Sequence, residues 1–331
     1  MLNWAIIGSG DVVNRLVGNS FEKKGISKVK YIFSKNTKEA TKLNKKYNYG
    51  KVAKSVSEIL SDNTVNSVYI ATPPNLHAGY IKKFSKKKKF ILCEKPLALT
   101  KKELNYIYKI CKRNKISLIT SFYRRYLTRF KFIKKILEKG ELGKIITFNY
   151  RLFHSPETHP TAPFKPKKNM KNLPWRFQKK ISGGGNFLDM GAHAIDMISY
   201  LISDIKKIQT IKNNRLNFYK VEETLVSNIE LKNKIIGQAS WSSVVNKTQD
   251  LFEIFGTKGS VIFSLNFSDE VAIQKGNKKF YKRIPFDRPF HKNLIKDTIK
   301  KFSKYKLNKT FIIEDQGFKV ANLQLEATEN D

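Results

Sequence analysis

The sequence predicts an α/β protein of two domains, in which a doubly wound parallel sheet precedes an α+β domain with a large, mostly antiparallel sheet. Two observations predict this arrangement. Up to residue 122, strand-like and helix-like segments alternate with short turns, which is typical of a parallel sheet covered on both faces. Beyond that point strand-like runs follow one another without long helices between them. The 331 residues are enough for two domains, which we place at residues 1–122 and 123–331.

The elements of the first domain follow from apolar patterns in the sequence. Apolar runs predict strands at residues 4–8, 29–33, 65–72, 90–96 and 116–122. Helical patterns lie between them, at residues 11–24, 37–48, 55–61, 76–86 and 100–114. Each strand therefore leads into a helix, which is the rhythm of a Rossmann-type nucleotide-binding domain.

The second domain begins with a different pattern. An amphipathic helix is predicted at 125–139, where Gly140 ends it, and a strand at 143–153. A Pro-rich loop, 154–169, then leads to three glycines and a helical segment within SGGGNFLDMGAHAID, 182–196. From residue 206 the strand-like runs are KIQTI, TLVSNIEL, IIGQASWSSVV, LFEIFG, GSVIFSL and EVAIQ, and helical patterns return from residue 291.

The charge of the chain is strongly positive. There are 64 Lys and Arg against 27 Asp and Glu, a formal net charge of +37. Only ten of the basic residues are Arg, and the lysines are spread over the whole chain. We interpret them as a solvated Lys-rich surface and expect neither a nucleic-acid nor a membrane partner. A Lys-rich protein that binds nucleic acid or another polyanion is the alternative from a different functional class.

The apolar and cysteine content indicates the cellular setting. No stretch approaches the roughly 20 apolar residues of a membrane span, and the start MLNWAIIGSG lacks the pattern of a signal peptide. Cys93 and Cys111 each lie in a segment with apolar residues, which favours buried free thiols over a disulfide. We therefore expect a reduced, soluble, cytoplasmic protein.

A glycine-containing turn follows the first predicted strand, in IIGSGDVVNRL (6–16). Gly8 permits a tight turn, and Gly10 lets a pyrophosphate approach the backbone where the helix begins. The third position of the G-x-G-x-x-G pattern is Val13, which we expect to loosen helix packing without blocking the phosphate. The predicted dinucleotide contacts in this turn are Gly8, Ser9, Gly10, Asp11 and Val12.

The end of the second predicted strand indicates which dinucleotide binds. The usual acid for the ribose hydroxyl of NAD is absent there, and Ser34 and Lys35 take its place, with Lys38 one helical turn later. Hydrogen-bond donors and positive charge suit a 2′-phosphate, which an acid would repel. The sequence therefore predicts NADP(H) in preference to NAD(H), with NAD(H) as the alternative.

Polar residues also follow the third and fourth strands, in ATPPNLH (71–77) and CEKP (93–96). This carboxyl edge of an open parallel sheet is where ligands bind. We expect Lys95, beside a cationic nicotinamide, to exchange protons near neutral pH, and Pro96 to restrict its direction. The further cofactor contacts predicted here are Ala71, Thr72, Pro73, Asn75, His77, Glu94 and Lys95.

These stretches carry a resemblance to a known family. GSGDVV, ATPPNLH, CEKPLALT, SFYRRYLTRF, GELGKI and WRFQKKISGGGNFLDMGAHAID occur in that order. The chain resembles the glucose–fructose oxidoreductase, inositol dehydrogenase and rhizopine-catabolism family (Gfo/Idh/MocA) from residue 3 to about 325. Within it, the chain is most similar to NADP-using sugar reductases and diol dehydrogenases. The departures are Val13 and the Pro-rich loop, whose role stays open.

The resemblance implies roles for individual residues. Lys95 would contact substrate and cofactor and share in proton transfer, while Asp189 and His193 would lie over the nicotinamide beside the reacting carbon. Trp175 and Arg176 would lie close to the cofactor, as would His77. The resemblance also implies a homodimer or homotetramer, assembled through an exposed sheet face of the second domain.

Asp189 and His193 are four residues apart, so on an α-helix they share a face. We expect the preceding glycines to leave room for substrate and cofactor at the helix start. Two alternatives are a metal site, with Asp196 as a further ligand, and a capping Asp beside a core His; no second His or Cys cluster supports a metal.

The remaining candidates are less specific. His154, His159 and His291 lie in loop-like sequence and are expected at the surface, although His154 and His159 could line the pocket. Tyr123 and Arg124 either touch the ligands or pack the domain junction. The substrate candidates are therefore Lys95, Tyr123, Arg124, His154, Asp189 and His193.

Together these observations predict an NADP(H)-dependent oxidoreductase that acts on a hydroxyl or carbonyl of a sugar, cyclitol or related polyol. A trans-dihydrodiol dehydrogenase and a catalytically silent cofactor-binding sensor are the alternatives that keep the fold.

Overall fold

The computed structural model describes residues 1–87, 90–158, 163–167, 172–308, 311 and 313–329. Its internal contacts divide the chain into two compact units. The first consists of Met1–Tyr123 with Asp287–Ala321, and the second of Arg124–Phe286 with Asn322–Asp331.

The first unit contains a six-stranded sheet whose paired strands all run parallel, in the order β3-β2-β1-β4-β5-β6. Its strands are β1 Leu2–Ile7, β2 Ser27–Phe33, β3 Lys51–Val52, β4 Ser67–Ile70, β5 Phe90–Cys93 and β6 Leu118–Thr120. This is the strand order of a dinucleotide-binding sheet, so the predicted fold class is confirmed. The prediction lacks β3 because two residues carry no periodicity.

The helices between these strands are a π-helical turn at Val12–Val17 and α1 Thr37–Tyr47, α2 Val56–Ser61, α3 His77–Ser85 and α4 Lys101–Arg113. Three of them begin with a side-chain cap, in which Asn36, Ser55 or Thr100 accepts the N–H of a glutamate three residues later. The first helix is shorter than the predicted 11–24, because Gly18 leaves the helical conformation at φ +52°.

The first unit also contains a helix from far along the chain, α8 Lys292–Asn308. Its buried Phe302 stacks on the rings of Trp4 and Phe90, with centroids 5.9 and 4.9 Å apart. The structure therefore differs from the predicted second domain at 123–331: residues 287–321 group with the first unit. An apolar stripe predicts the helix but not which core it joins.

The second unit contains an eight-stranded sheet in the order β14-β13-β12-β11-β7-β10-β9-β8. All neighbours are antiparallel except β7 and β10, as the prediction of a mostly antiparallel sheet requires. Its strands are β7 Ile145–Phe153, β8 Ile205–Asn213, β9 Thr224–Leu231, β10 Ile236–Ser242, β11 Gln249–Gly256, β12 Gly259–Phe263, β13 Glu270–Lys275 and β14 Lys278–Arg283. The unpredicted β14 is exposed throughout, so its sequence shows no buried face.

Aromatic side chains fill the inner face of this sheet. Tyr150 and Phe252 are at most 1% exposed, as is Trp241 on β10. The ring of Phe187, which opens the segment after the glycines, packs edge-on against Trp241 at 5.0 Å.

The further α-helices are α5 Thr128–Glu138, α6 Lys179–Ser182, α7 Ala192–Leu201 and α9 Asp315–Glu329.

Within the part of the chain that the structure describes, no helix is both long and apolar enough to cross a bilayer.

Cys93 and Cys111 are buried and free, which confirms the prediction of buried free thiols. Burial raises the pKa of both thiols, that of Cys111 to about 12.

Candidate functional site

The turn after β1 has the backbone that a phosphate-binding turn requires. Gly8 has φ +114°, and a side chain at this position would collide with the carbonyl group of Ala71. Gly10 is exposed, and a Cβ atom there would meet nothing within 4 Å, so its backbone is accessible to a ligand. Val13 is buried in the core and does not loosen it. The other predicted cofactor contacts of this turn, Ser9, Asp11 and Val12, are at least partly exposed. The turn therefore fits a pyrophosphate group.

The residues after β2 present donors and positive charge. The Ser34 hydroxyl accepts the N–H of Asn36 at 3.2 Å, which orders the turn. Lys35 and Lys38 are exposed. The backbone N–H of Gly8 donates to the carbonyl of Phe33 at 2.8 Å, so the two turns are adjacent. This arrangement is compatible with a phosphate on the adenosine ribose.

His77 joins the loops that follow β4 and β5. Its two ring nitrogens lie 2.9 Å from the carbonyl oxygens of Thr72 and Pro96, and the ring is fully buried. Burial lowers the pKa of His77, partly offset by these two carbonyls. His77 thus connects the two loops through its ring. Among the other predicted contacts here, Ala71, Thr72 and Pro73 are partly exposed and Asn75 is exposed.

His77 should make folding sensitive to acid. Because its pKa is lower in the folded chain, the unfolded chain binds the proton more readily, and stability falls as the pH drops below about 6.5. We expect His77→Gln to lessen this loss by up to about 1.4 kcal/mol per pH unit. Urea unfolding in steps from about pH 7.5 to 5.5 measures both slopes; parallel curves for the two proteins would contradict the assignment.

Lys95 lies between two buried neighbours at the end of β5. Its side chain is partly exposed, whereas Glu94 is only 7% exposed and Pro96 is buried. The hydroxyl of Tyr69 donates to Oε1 of Glu94 at 2.6 Å. The loop that carries Lys95 is therefore fixed on both sides, by Glu94 before it and by the His77 contact to Pro96 after it.

His291 was expected at the surface, and that expectation is wrong. It is 1% exposed, and its ring stacks on Tyr123 with centroids 4.5 Å apart. Its Nδ1 lies 3.6 Å from Oε1 of Glu94 and 3.4 Å from the hydroxyl of Ser121. Sequence reasoning missed this cluster because its members come from four separate parts of the chain.

In the second unit, two of the three glycines, Gly184 and Gly185, lie against a carboxylate of the protein itself. The N–H groups of Gly185 and Phe187 donate to the side chain of Glu222, at 2.9 and 3.1 Å. A Cβ atom on Gly185 would lie 2.7 Å from the backbone oxygen of Glu222. Gly184 and Gly185 therefore let Glu222 approach, and Glu222 occupies the space beside them that we expected a ligand to use. Burial raises the pKa of Glu222, and the backbone donors oppose that rise.

Asp189 and His193 do not share one regular α-helix. Asp189 lies in a π-helical turn, Phe187–Gly191, and His193 in α7. Four residues are close to one full turn in either kind of helix, so the shared face of Asp189 and His193 stays a prediction. His193 is 5% exposed.

Arg176 holds the Asp189 carboxylate. Its Nε donates to Oδ2 of Asp189 at 3.0 Å, and both side chains are largely buried, at 17% and 14% exposure. The Arg176 guanidinium also lies over the ring of Trp175, 4.3 Å from its centroid. The structure thus brings together three of the predicted site residues, Trp175, Arg176 and Asp189.

His154 is buried rather than on the surface. It is 1% exposed; Nδ1 lies 3.2 Å from the carbonyl of Ser155 and Nε2 lies 2.9 Å from the side-chain nitrogen of Asn186. The carbonyl accepts, so Nδ1 carries the proton and Nε2 accepts from Asn186. Burial lowers the pKa of His154, which is consistent with a neutral ring. His159 lies outside the described residues.

Arg124 and Asp196 have structural partners. The Arg124 guanidinium is buried and donates to the side chain of Asn266 and to the carbonyl of Leu265. Asp196, considered above as a metal ligand, accepts Nε of Arg125 at 2.7 Å. Among the described residues no group of three His, Cys, Asp or Glu side chains could hold a metal ion.

Two family models match most of the chain. Residues 2–122 match the oxidoreductase family with an NAD-binding Rossmann fold, and residues 130–262 match the GFO/IDH/MocA C-terminal domain. Oxidoreductase P35 from Formosa agariphila is 25% identical over 276 residues, which are 83% of this chain and 82% of that protein. Levoglucosan dehydrogenase from Pseudarthrobacter phenanthrenivorans is 26% identical over 269 residues, 74% and 67% of the two chains.

A solved structure has the same fold. A levoglucosan dehydrogenase in complex with NADH and levoglucosan superposes with a TM-score of 0.77 at 23% identity, over 98% of this chain and 96% of that chain.

Proposed function

Since the chain belongs to the Gfo/Idh/MocA family of NAD(P)-dependent oxidoreductases, we propose that it transfers a hydride between NADP(H) and a hydroxyl- or carbonyl-bearing carbon of a sugar, cyclitol or related polyol. The observation that carries this proposal is the placement of Lys95. It is a partly exposed lysine between buried neighbours, at the carboxyl edge of the sheet that bears the Gly8 turn. The relative named levoglucosan dehydrogenase supports a sugar as the substrate class.

The proposed reaction assigns a proton to residues of this chain. Oxidation of a secondary alcohol removes a hydride from carbon and a proton from oxygen, and bound NADP⁺ supplies the hydride acceptor. Lys95 or His193, in its neutral form, receives the single hydroxyl proton and returns it when a carbonyl is reduced. Asp189, oriented by its ion pair with Arg176, accepts a hydrogen bond from a substrate hydroxyl. Such acid–base help contributes roughly 10²- to 10⁴-fold in rate.

The proposed preference for NADP(H) depends on the turn after β2. We expect the double substitution Ser34→Asp and Lys35→Ala to lower the ratio of NADPH to NADH efficiency at least about tenfold, because an acid there repels the 2′-phosphate and favours a ribose hydroxyl. Steady-state kinetics with each cofactor measure the ratio. Lys42→Ala, which removes an exposed charge from helix α1, the helix that follows this turn, is the control. An unchanged ratio in the double variant would show that NADP(H) recognition lies elsewhere.

One experiment tests the reaction and the substrate class together. A panel of sugars, cyclitols and their keto forms is followed at the nicotinamide absorbance with both cofactors. We expect cofactor-dependent turnover of at least one polyol or its keto form. If no member reacts with either cofactor while the protein is retained on DNA in a steeply salt-dependent manner, the polyanion-binding alternative replaces this proposal.

We also propose that the second unit mediates assembly into a dimer or tetramer. Apolar side chains are exposed next to each other on its sheet, where Ile211, 81% exposed, pairs with Val226, 44% exposed, on the neighbouring strand. Exposed apolar patches on a sheet are typical of interaction sites. Light scattering coupled to gel filtration determines the mass in solution, and a monomer at all concentrations would rule this assembly out.

A further inference from the structure

The Glu94 carboxylate lies in an enclosed polar cluster that the proposed chemistry does not itself use. Tyr69, Ser121 and His291 surround it, and none of these three side chains is more than 2% exposed. A carboxylate in such surroundings is stable only when donors face it, because burial removes its water. The positions of Tyr69 and Ser121, which donate to Glu94, and of the nearby His291 ring therefore control where the Glu94 side chain lies.

His291 is held in place independently of Glu94. Its backbone N–H donates to the carbonyl of Leu16 at 2.9 Å, and its carbonyl accepts the N–H of Ile295 at 2.8 Å in the first turn of α8. Its ring stacks on Tyr123 at an interplanar angle of 28°. The ring is thus oriented by the backbone and by an aromatic neighbour, so that Nδ1 faces Glu94 and Ser121.

Glu94 is the residue before Lys95 in the chain. A shift of the Glu94 side chain therefore moves the backbone that carries Lys95. The residue after Lys95, Pro96, is held by His77. We propose that His291 is a positioning residue for the reaction, which fixes Glu94 through Nδ1 and so keeps Lys95 in its working position. This inference rests on the proposed function, in which Lys95 handles the substrate proton.

The charges around Glu94 decide the sign of the effect. The titratable groups that face it are Tyr69, His77, Cys93, Lys95 and His291. Burial raises the pKa of Glu94, and the hydrogen bonds from Tyr69 and Ser121 and the charges of Lys95 and His77 oppose that rise. Removing the imidazole nitrogen removes a further polar contact, so Glu94 should then hold its proton to a higher pH.

Two substitutions of His291 separate positioning from packing. His291→Phe keeps an aromatic ring on Tyr123 and loses Nδ1, whereas His291→Asn places an amide nitrogen near the position of Nδ1. We expect His291→Phe to lower kcat about tenfold and to shift the pH profile of kcat/KM, with NADPH binding unchanged. We expect His291→Asn to lie closer to wild type in both kcat and the pH profile. Thr298→Val, at a buried position of α8, is the control and should change neither.

A second measurement does not depend on turnover. The infrared band of the protonated Glu94 carboxyl, identified by its loss in Glu94→Gln, is titrated in wild type and in His291→Phe. We expect the titration midpoint of His291→Phe to lie at least about half a pH unit higher. An unchanged midpoint would overturn the inference whatever the activity of the enzyme.

The outcomes distinguish the inference from the proposed function. If wild type reduces or oxidises polyols but His291→Phe retains its rate and pH profile, only the positioning role is wrong. If the midpoint moves while no polyol reacts, His291 does control Glu94 but the proposed reaction fails. A His291→Phe variant that matches wild type in rate and pH profile while His291→Asn is slow would reduce His291 to a packing residue.

Discussion

Replacing Lys95 with methionine is expected to lower turnover at least about 100-fold while NADPH binding stays close to wild type. Methionine keeps most of the length of the side chain but cannot exchange a proton. The flanking contacts of Glu94 with Tyr69 and of Pro96 with His77 involve no atom of the Lys95 side chain, so the loop should keep its position. Single-turnover kinetics and fluorescence titration with NADPH measure the two quantities separately.

The matched control is Lys112→Met, which removes an exposed lysine from the last turn of helix α4 of the same unit. It should retain wild-type turnover, since a helix that begins after the carboxyl end of β5 ends toward the opposite edge of the sheet. A Lys95→Met protein that turns over at the wild-type rate would exclude Lys95 from proton transfer. A loss of NADPH binding as large as the loss of turnover would instead indicate a cofactor contact.

Replacing His193 with glutamine is expected to lower turnover at least about 100-fold and to alter the pH dependence of kcat. The imidazole is 5% exposed in α7, so a polar replacement of similar reach disturbs packing less than alanine would. If Lys95 and His193 act on one proton, their effects are not additive, and the double variant should be little slower than either single variant.

His154→Gln is the comparison for His193, because His154 is also a buried histidine of the second unit. Glutamine can occupy the Nε2 position that accepts from Asn186, and a purely structural histidine should then lose stability without a change in the pH profile. If His193→Gln and His154→Gln give the same profile as wild type, the proton-transfer role of His193 is wrong.

The alternation of apolar runs and helical patterns predicted most of the fold. The predicted strand TLVSNIEL coincides with β9, and the predicted helix at 37–48 coincides with α1 within one residue at its end. Such segments are predictable because burial on one face imposes a period on the sequence. The exposed strand β14 and the two-residue β3 carry no such period, and both were missed.

The candidate site was predictable only where a local rule applies. Gly8 and Lys95 follow strands of a parallel sheet, so their edge is fixed by the βαβ pattern. Asp189 was identified, but its partner Arg176 was predicted as a cofactor contact, because no spacing rule pairs residues thirteen positions apart. Likewise, nothing near Gly185 in the sequence indicates that Glu222 will fill the space beside it.

By itself the sequence determined the order of strands and helices, the glycine turn after β1 and the lysine after β5, since each depends on the residues immediately around it. Only the tertiary structure decided that α8 joins the first unit, that His291 reaches Glu94 and that Asp189 lies in a π turn before the helix of His193. The first two features result from contacts between distant segments, and Phe187 in the π turn packs on Trp241 of a distant strand. The free energy of such contacts depends on which surfaces meet in the folded chain. The local periodicity of a sequence does not indicate which surfaces these are.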